Sequence, residues 1–260
     1  MLNNPKSLRD IHANVGIEKE YQKRIDKLIR AMQNSVNYWV VGKYRSYRDD
    51  IVFDAMPSSQ LRKELRKRLK QWRKNFNKIS DDLSKWFTEN VLNYQSISFQ
   101  KNLEDAGWNR RIEWSQSMED TMRSIIYENV NLISSIPEQY FTEVEGIVMR
   151  SIQEGRGLSY LSKELNNRYQ ITKRRAETIA RDQNNKATEA FNRTRSLDLG
   201  ITKGIWRHNG GSKKPRLSHL KANGKEFDLK RGLYIDGEYT YPGQEINCKC
   251  TYRPIIEGLA

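Results

Sequence analysis

Residues 172–206 read TKRRAETIARDQNNKATEAFNRTRSLDLGITKGIW and contain the point at which a helical pattern gives way to a β-type pattern. Small and apolar residues recur at helical spacing as far as Leu197, and Thr172 can cap the start of this helix. Gly200 offers the left-handed conformation that commonly ends a helix. The alternation around Trp206 then predicts a strand. The stretch therefore predicts a long helix that leads into a small sheet.

The composition on either side of this stretch changes in the same direction. Only six of the 15 glycines precede residue 200, whereas nine glycines and three of the six prolines follow from there. Beyond it, two β-type runs flank Asp236-Gly237, a dipeptide that favours the tight turn of a β-hairpin. The last 61 residues are therefore predicted to form several short strands.

The part of the chain before residue 172 is predicted to be helical. Apolar residues recur every three or four positions, which predicts helices over 17–36, 61–86, 118–136, 138–154 and 159–169. Pro137 is expected to end one helix, because proline disrupts a helix interior. The charged residues Arg181 and Asp182 are assigned to the solvated side of the last helix.

These patterns predict an α+β fold with two domains. A mostly helical body covers residues 1–154. A small C-terminal α+β domain, made of the long helix and a short antiparallel sheet, covers residues 155–260.

The net charge is strongly positive and unevenly distributed. The chain has 46 Lys and Arg residues against 32 Asp and Glu residues, which gives +14. Residues 1–90 carry +9, residues 91–155 carry −5 and residues 156–260 carry +10. Such an excess indicates an anionic partner and says nothing about the fold.

Cations are most concentrated on the helix predicted over 61–86, where Glu64 is the only acid before residue 81. The candidate DNA-binding residues are Arg62, Lys63, Arg66, Lys67, Arg68, Lys70, Arg73, Lys74 and Lys78. Each cation that meets a phosphate would release counterions. The alternative is a solvated helix face near the acidic residues at 104–105 and 119–120. Trp72 and Phe76 could stack on bases, but they lie on the apolar stripe, where core packing is favoured.

Several classes of protein are disfavoured by the sequence. No run approaches the ~18 apolar residues of a membrane span, and residues 1–6 lack a secretory pattern. The only cysteines, Cys248 and Cys250, are too few for a disulfide framework. We therefore expect a soluble intracellular protein with no membrane partner. No P-loop, nucleophile elbow or HExxH motif is present, which predicts no enzymatic activity and no small-molecule substrate.

The C-terminal part contains residues that suit a tetrahedral zinc ion, namely His219, Cys248, Cys250 and His208. The alternation of Cys248, Cys250 and Tyr252 predicts a strand that buries all three side chains. On a strand the two cysteines lie about 6.6 Å apart, too far to approach one ion easily. The favoured interpretation is therefore a pair of buried thiols beside a hydrogen-bonded histidine, with no metal or other cofactor, and zinc is kept as an alternative.

Residues 155–254 resemble the head-morphogenesis domain of the phage Mu F-like minor capsid proteins. The order and spacing of a set of signature residues carry this resemblance: Arg181, Trp206, Arg216, His219, Gly224, Pro242, Asn247, Cys248 and Cys250. The sequence departs from the family pattern at three positions. Ala222 replaces the usual Leu, Asn223 the usual Asp, and Lys249 the usual Arg.

The resemblance implies a minor head protein of a tailed phage or prophage, located inside the phage head and in the host cytoplasm during assembly. Its implied partners are the portal protein, capsid or scaffold, and double-stranded DNA bound non-specifically. Some relatives carry a toxin module after this domain, and we expect none here because six residues follow Pro254. The alternative functions are a stand-alone non-specific DNA-binding protein and a zinc-dependent nuclease.

Overall fold

A computed structural model describes residues 6–49, 56–210 and 214–256. In that part of the chain six helices are found: α1 (Val15–Val36), α2 (Gly42–Asp49), α3 (Met56–Asp105), α4 (Gln116–Gln153), α5 (Leu158–Asp198) and α6 (Leu217–Ala222). A π-helical segment, Asn37–Val41, joins α1 to α2. The strands are β1 (Lys6–Ser7), β2 (Lys203–Arg207), β3 (Glu226–Asp228), β4 (Leu233–Ile235), β5 (Glu238–Thr240) and β6 (Thr251–Ile256). The predicted α+β class is confirmed.

The predicted break at Pro137 is wrong, because α4 continues through this residue. Proline in a helix interior removes one hydrogen bond and costs about 3 kcal/mol. Ile133, Ile136 and Tyr140 are all buried on the turns around it. Burial of each such side chain contributes about 1.5–3 kcal/mol, so packing on both sides of Pro137 outweighs the cost.

The predicted break before Thr172 is also wrong, because α5 is a single helix of 41 residues. Thr172 does not cap a helix. Its hydroxyl donates to the backbone oxygen of Arg168 at 3.0 Å, a bond that a threonine makes inside a helix. The two helical patterns at 159–169 and 172–199 are therefore parts of one helix.

The chain forms two compact units, each assembled from separate stretches of sequence. The helical unit contains Glu20–Ser84 and Glu128–Ile179. The cap unit contains the described residues of Met1–Lys19, Lys85–Tyr127 and Ala180–Ala260. The sequence predicts a domain boundary between residues 154 and 155. That boundary states which parts of the chain fold independently, and it stays a prediction.

The helical unit buries the apolar stripes that the sequence predicts. On α1, Tyr21, Ile25, Ile29 and Met32 have no exposed surface. The Tyr21 hydroxyl donates to Asn129 Oδ1 at 2.8 Å, so the polar end of this buried ring is satisfied. None of the helices in the described part of the chain combines the length and hydropathy that a membrane crossing requires.

The cap unit is built on an antiparallel sheet with the strand order β1-β6-β2-β3, beside the hairpin β4-β5. The predicted hairpin turn is confirmed, since Asp236 and Gly237 have φ angles of 53° and 95°. Trp206 and Tyr252 pair across β2 and β6 and are both buried. Phe99 and Leu103 of α3 complete this core.

Candidate functional site

Five of the nine signature residues line one open pocket of the cap unit. His208 follows β2, His219 lies on α6, and the two cysteines lie in the loop before β6. The lining of the pocket includes His208, Arg216, His219, Asn247, Cys248 and Cys250. Residues that are up to 42 positions apart in sequence therefore meet at one place.

Helix α5 fixes the loop that carries the cysteines. Asn247 adopts a left-handed conformation with φ of 61°, and its backbone N–H donates to Asp182 Oδ1 at 2.9 Å. The guanidinium of Arg181 donates to the Asn247 side-chain oxygen. Burial raises the pKa of Asp182, which is only 7% exposed. The prediction that Asp182 lies on a solvated face is therefore wrong, because its carboxylate anchors the loop.

A second carboxylate, Glu245, lies between two signature residues. Its Oε2 atom is 3.2 Å from Arg216 Nε, and its Oε1 atom is 3.4 Å from His219 Nε2. Arg216 also donates to the backbone oxygen of Ile246 at 3.2 Å. This chain of contacts directs the other ring nitrogen of His219, Nδ1, towards the cysteines.

The two cysteines lie in a loop, so the predicted strand through them is wrong. Strand β6 begins only at Thr251. The backbone N–H of Cys248 donates to the Glu245 oxygen at 2.9 Å, which turns the chain just before the first cysteine. The strand spacing that argued against a shared ion therefore does not apply.

The turn brings both thiols to the same histidine nitrogen. His219 Nδ1 is 3.4 Å from Cys248 Sγ and 3.7 Å from Cys250 Sγ. The ligand atoms of these three buried residues all lie within 4.8 Å of one another. His208 Nδ1 is 3.5 Å from Cys250 Sγ. Three of the four residues considered as zinc ligands are thus brought together, and the fourth, His208, approaches Cys250 from outside this group.

The environment of Cys248 favours its thiolate. The hydrogen bond from Cys250 lowers the pKa of Cys248, and the N–H of Gly243 adds to this effect by donating to its sulfur at 3.3 Å. Gly243 follows the signature residue Pro242 and has a φ of 80°. The same hydrogen bond and burial raise the pKa of Cys250, so the first proton leaves Cys248.

Other signature residues pack against the residues of this pocket or form hydrogen bonds with neighbouring segments. The Trp206 ring lies edge-on to the His219 ring, with 5.3 Å between centroids. Gly224 has a φ of 83° and donates its N–H to the Trp206 oxygen at 2.8 Å. Asn223 accepts a hydrogen bond from the His208 N–H at 3.0 Å. An amide oxygen suffices for that bond, so the departure from Asp at this position preserves the contact.

The sequence did not reveal the roles of Asp182 and Glu245. Both act through contacts with residues distant in sequence, namely Asn247 and His219. Asp182 directly follows the signature residue Arg181, and that position was the one available signal. An acid three positions before a cysteine, as at Glu245, carries no comparable signal.

The candidate DNA-binding residues lie on α3 in the helical unit, separate in sequence from the pocket. Three of these nine residues form ion pairs with carboxylates. Arg62 Nε is 2.6 Å from Glu145, Arg68 Nε is 2.5 Å from Glu64, and Arg73 pairs with Glu138. The neighbouring acids are thus not those at 104–105 and 119–120, which the sequence suggested.

The other six cations form an exposed stripe, which we call the cation stripe: Lys63, Arg66, Lys67, Lys70, Lys74 and Lys78. Among the residues that the structure describes, no carboxylate lies within ion-pair distance of them. At ~100° per residue they cover a face about 120° wide and about 22 Å long. Leu61, Leu65 and Phe76 are buried on the opposite side. The prediction that Phe76 packs in the core is confirmed.

Comparison with known proteins gave two matches. Residues 142–253 match the family described as "Phage Mu protein F like protein". The chain is also 24% identical over 243 residues to an uncharacterized protein of Haemophilus influenzae, in an alignment that covers 92% of this chain and 53% of that protein. The chain therefore spans about half the length of this curated relative. No solved structure matches the chain.

Proposed function

We propose, from the match of residues 142–253 to the family described as "Phage Mu protein F like protein", that this chain is a minor head protein acting in phage head morphogenesis. The family match confirms the resemblance inferred from residues 155–254. It supports a structural role in the head over an enzymatic one. The corresponding location is the virion, with assembly in the host cytoplasm.

The convergence of the signature residues is the observation that carries this proposal. Arg181 and Asn247 are joined by a hydrogen bond, and His219 contacts both Cys248 and Cys250. A chance similarity of spacing would not be expected to bring these residues into contact with one another. The signature therefore describes a folded unit of the kind that the family match implies.

The partner that we assign to the chain is the portal protein, within the capsid or scaffold that surrounds it. The test is co-sedimentation of the full chain with purified portal rings and with procapsids of the same phage or prophage. A nuclease treatment beforehand removes association through bridging DNA. We expect the chain in the pellet over about 50–500 mM salt, a range that weakens exposed charge contacts. Its absence from the pellet at every salt concentration would contradict the portal assignment.

The cation stripe supports a second proposed activity, non-specific contact with double-stranded DNA. Its six side chains are exposed on one face of a single helix. The arginines that have carboxylate partners lie at or beyond its edges. Cations without such partners can neutralise phosphates without first breaking an ion pair. DNA contact through this face complements a head role, because the head is filled with DNA.

The salt dependence of DNA binding tests this proposal. We compare the unmodified chain with a variant of the stripe, Lys63→Ala, Lys67→Ala, Lys70→Ala and Lys74→Ala. The matched control removes four exposed lysines elsewhere: Lys101→Ala, Lys221→Ala, Lys225→Ala and Lys230→Ala. In a filter-binding series, loss of four phosphate contacts should make the slope of log K against log salt shallower by up to about 3.6. Equal slopes for the stripe variant and the control would show that the cation stripe does not contact DNA.

The two alternative functions predict different outcomes. A stand-alone DNA-binding protein would retain DNA on the filter but leave portal rings and procapsids in the supernatant. A zinc-dependent nuclease would cut DNA when supplied with zinc. Incubation of supercoiled plasmid with the zinc-supplemented chain tests the last of these, and we expect the plasmid to stay intact.

A further inference from the structure

We propose that His219, Cys248, Cys250 and His208 form a structural zinc site in the cap unit. Two thiolates and two imidazoles are a common ligand set for structural zinc. The site would join the end of β2, helix α6 and the loop before β6. Its role would be to hold these three segments together, which goes beyond head assembly or DNA contact.

The three recorded distances between sulfur and nitrogen donors fit a tetrahedral ion, with His219, Cys248 and Cys250 as the preformed group and His208 beside Cys250. Zinc lies about 2.3 Å from sulfur and about 2.0–2.1 Å from nitrogen, so neighbouring S and N ligands of a tetrahedron lie about 3.6 Å apart. The three S···N distances recorded here are 3.4, 3.7 and 3.5 Å. The Nδ1 atom of His219 faces two sulfur atoms at once. A simple hydrogen bond between a thiol and a neutral imidazole would need only one sulfur atom.

Contacts around the cluster orient its ligands as in known zinc sites. His219 turns Nε2 towards Glu245 at 3.4 Å and so leaves Nδ1 to face the sulfurs. Glu245 is itself held by Arg216 at 3.2 Å. A carboxylate behind a ligating histidine fixes its orientation and strengthens it as a ligand. The Gly243 N–H donates to Cys248 Sγ, a bond that stabilises a metal-bound thiolate.

The cap unit contains short elements that contribute little stability of their own. Helix α6 has six residues, fewer than a helix needs for stability in isolation. Strands β4 and β5 form only a two-stranded sheet. An ion bound by four ligands from three segments would fix them at the cost of releasing two thiol protons. Because all four positions would be filled by protein, the site would be closed and would not activate water.

The experiment measures metal in the full-length protein, purified without a histidine tag and without chelator. Zinc is quantified per chain by elemental analysis. The metal is then removed, and cobalt is added to record the absorption of a tetrahedral, thiolate-bound ion. The variants are Cys248→Ser with Cys250→Ser, His219→Gln and His208→Gln. His12→Asn is the matched control, because His12 is the third histidine and lies outside the cluster.

We expect about one zinc per chain in the unmodified protein and in the His12 variant. The cysteine and His219 variants should lose the zinc, and His208→Gln should bind it at least tenfold more weakly. Cobalt in the unmodified protein should give the thiolate-to-metal band and tetrahedral d–d bands. An unmodified chain that lacks zinc, and that binds added zinc with a dissociation constant above about 100 nM, would overturn the site. That readout needs no variant, so misfolding of a variant cannot obscure it.

Discussion

Glu189 on α5 is a buried carboxylate in the cap unit. Its side chain is 8% exposed and lies 3.0 Å from Arg193 Nε. The Arg193 guanidinium lies over the Tyr241 ring, 4.1 Å from its centroid. Burial raises the pKa of Glu189 from 4.5 to about 7, although Arg193 acts in the opposite direction. The residue therefore changes its charge near neutral pH in the folded protein.

This raised pKa makes stability depend on pH in a defined direction. Between pH 4.5 and about 7 the folded state binds a proton that the unfolded state has released. The stabilisation is thus complete below pH 4.5 and is lost as pH rises through about 7. A shift of this size corresponds to about 3 kcal/mol.

The substitution Glu189→Gln should remove this dependence and keep an oxygen that accepts from Arg193. We expect the free energy of unfolding of the unmodified chain to fall by about 3 kcal/mol relative to the variant between about pH 4 and pH 8. Urea denaturation in the presence of chelator measures this difference without any contribution from metal. Glu226→Gln, at an exposed position, is the control and should follow the unmodified chain. Parallel pH profiles for Glu189→Gln and the unmodified chain would show that this carboxylate is ionised in both states.

At the scale of the elements, the sequence predicted those features that depend on local information. The apolar repeats gave α1 and the first part of α3, and Asp236-Gly237 gave the hairpin. Pro137 and Thr172 were misread because burial and a hydroxyl-to-backbone bond, respectively, override their local preference. The signature residues of the site were found, but their geometry was not. The loop conformation depends on a bond from Asn247 to Asp182, 65 residues away.

Strand β2 depends on a glycine at its second position. Gly204 pairs with Pro254 of β6 and with Phe227 of β3. A Cβ atom there would lie 2.8 Å from Tyr252 Cδ2 and 3.1 Å from Leu229 Cδ2. Both neighbouring side chains are fully buried, so neither has space into which it can move. The close approach of these rings and methyl groups to the backbone thus requires glycine.

Gly204→Ala should therefore destabilise the protein by about 1–3 kcal/mol through overpacking. Gly42→Ala is the matched control, because the residue is helical and no atom of the described residues lies within 4 Å of its added methyl group. That change should stabilise α2 by about 0.5–1 kcal/mol. Urea denaturation of both variants measures the two effects. Equal stability of Gly204→Ala and the unmodified chain would mean that the sheet can open at this position.

At the scale of the whole molecule, each compact unit is assembled from segments distant in sequence. Strand β1 pairs with β6, although nearly the whole chain separates them. Leu8 and Ile11 belong to the same core cluster as Trp206. Helices α3, α4 and α5 each contribute residues to both units. The core and the sheet of the cap unit therefore include residues that precede the family match at 142–253.

The last prediction concerns the fragment 156–260, which carries all of the signature residues. It lacks β1 and four core side chains: Leu8, Ile11, Phe99 and Leu103. Their burial contributes about 1.5–3 kcal/mol each, together as much as the whole stability of many domains. We therefore expect the isolated fragment, with zinc present, to show no cooperative thermal transition and little near-ultraviolet dichroism.

Addition of fragment 1–155 should restore both signals, because it supplies the missing strand and core side chains. The control is the full chain with a protease site placed at Gly157, between α4 and α5, and cleaved after folding. Its unfolding transition should survive cleavage, since the cut leaves the core intact. Cooperative melting of 156–260 alone, at the temperature of the full chain, would contradict the prediction. It would make the C-terminal segment an independent domain, with the N-terminal core residues contributing little to its stability.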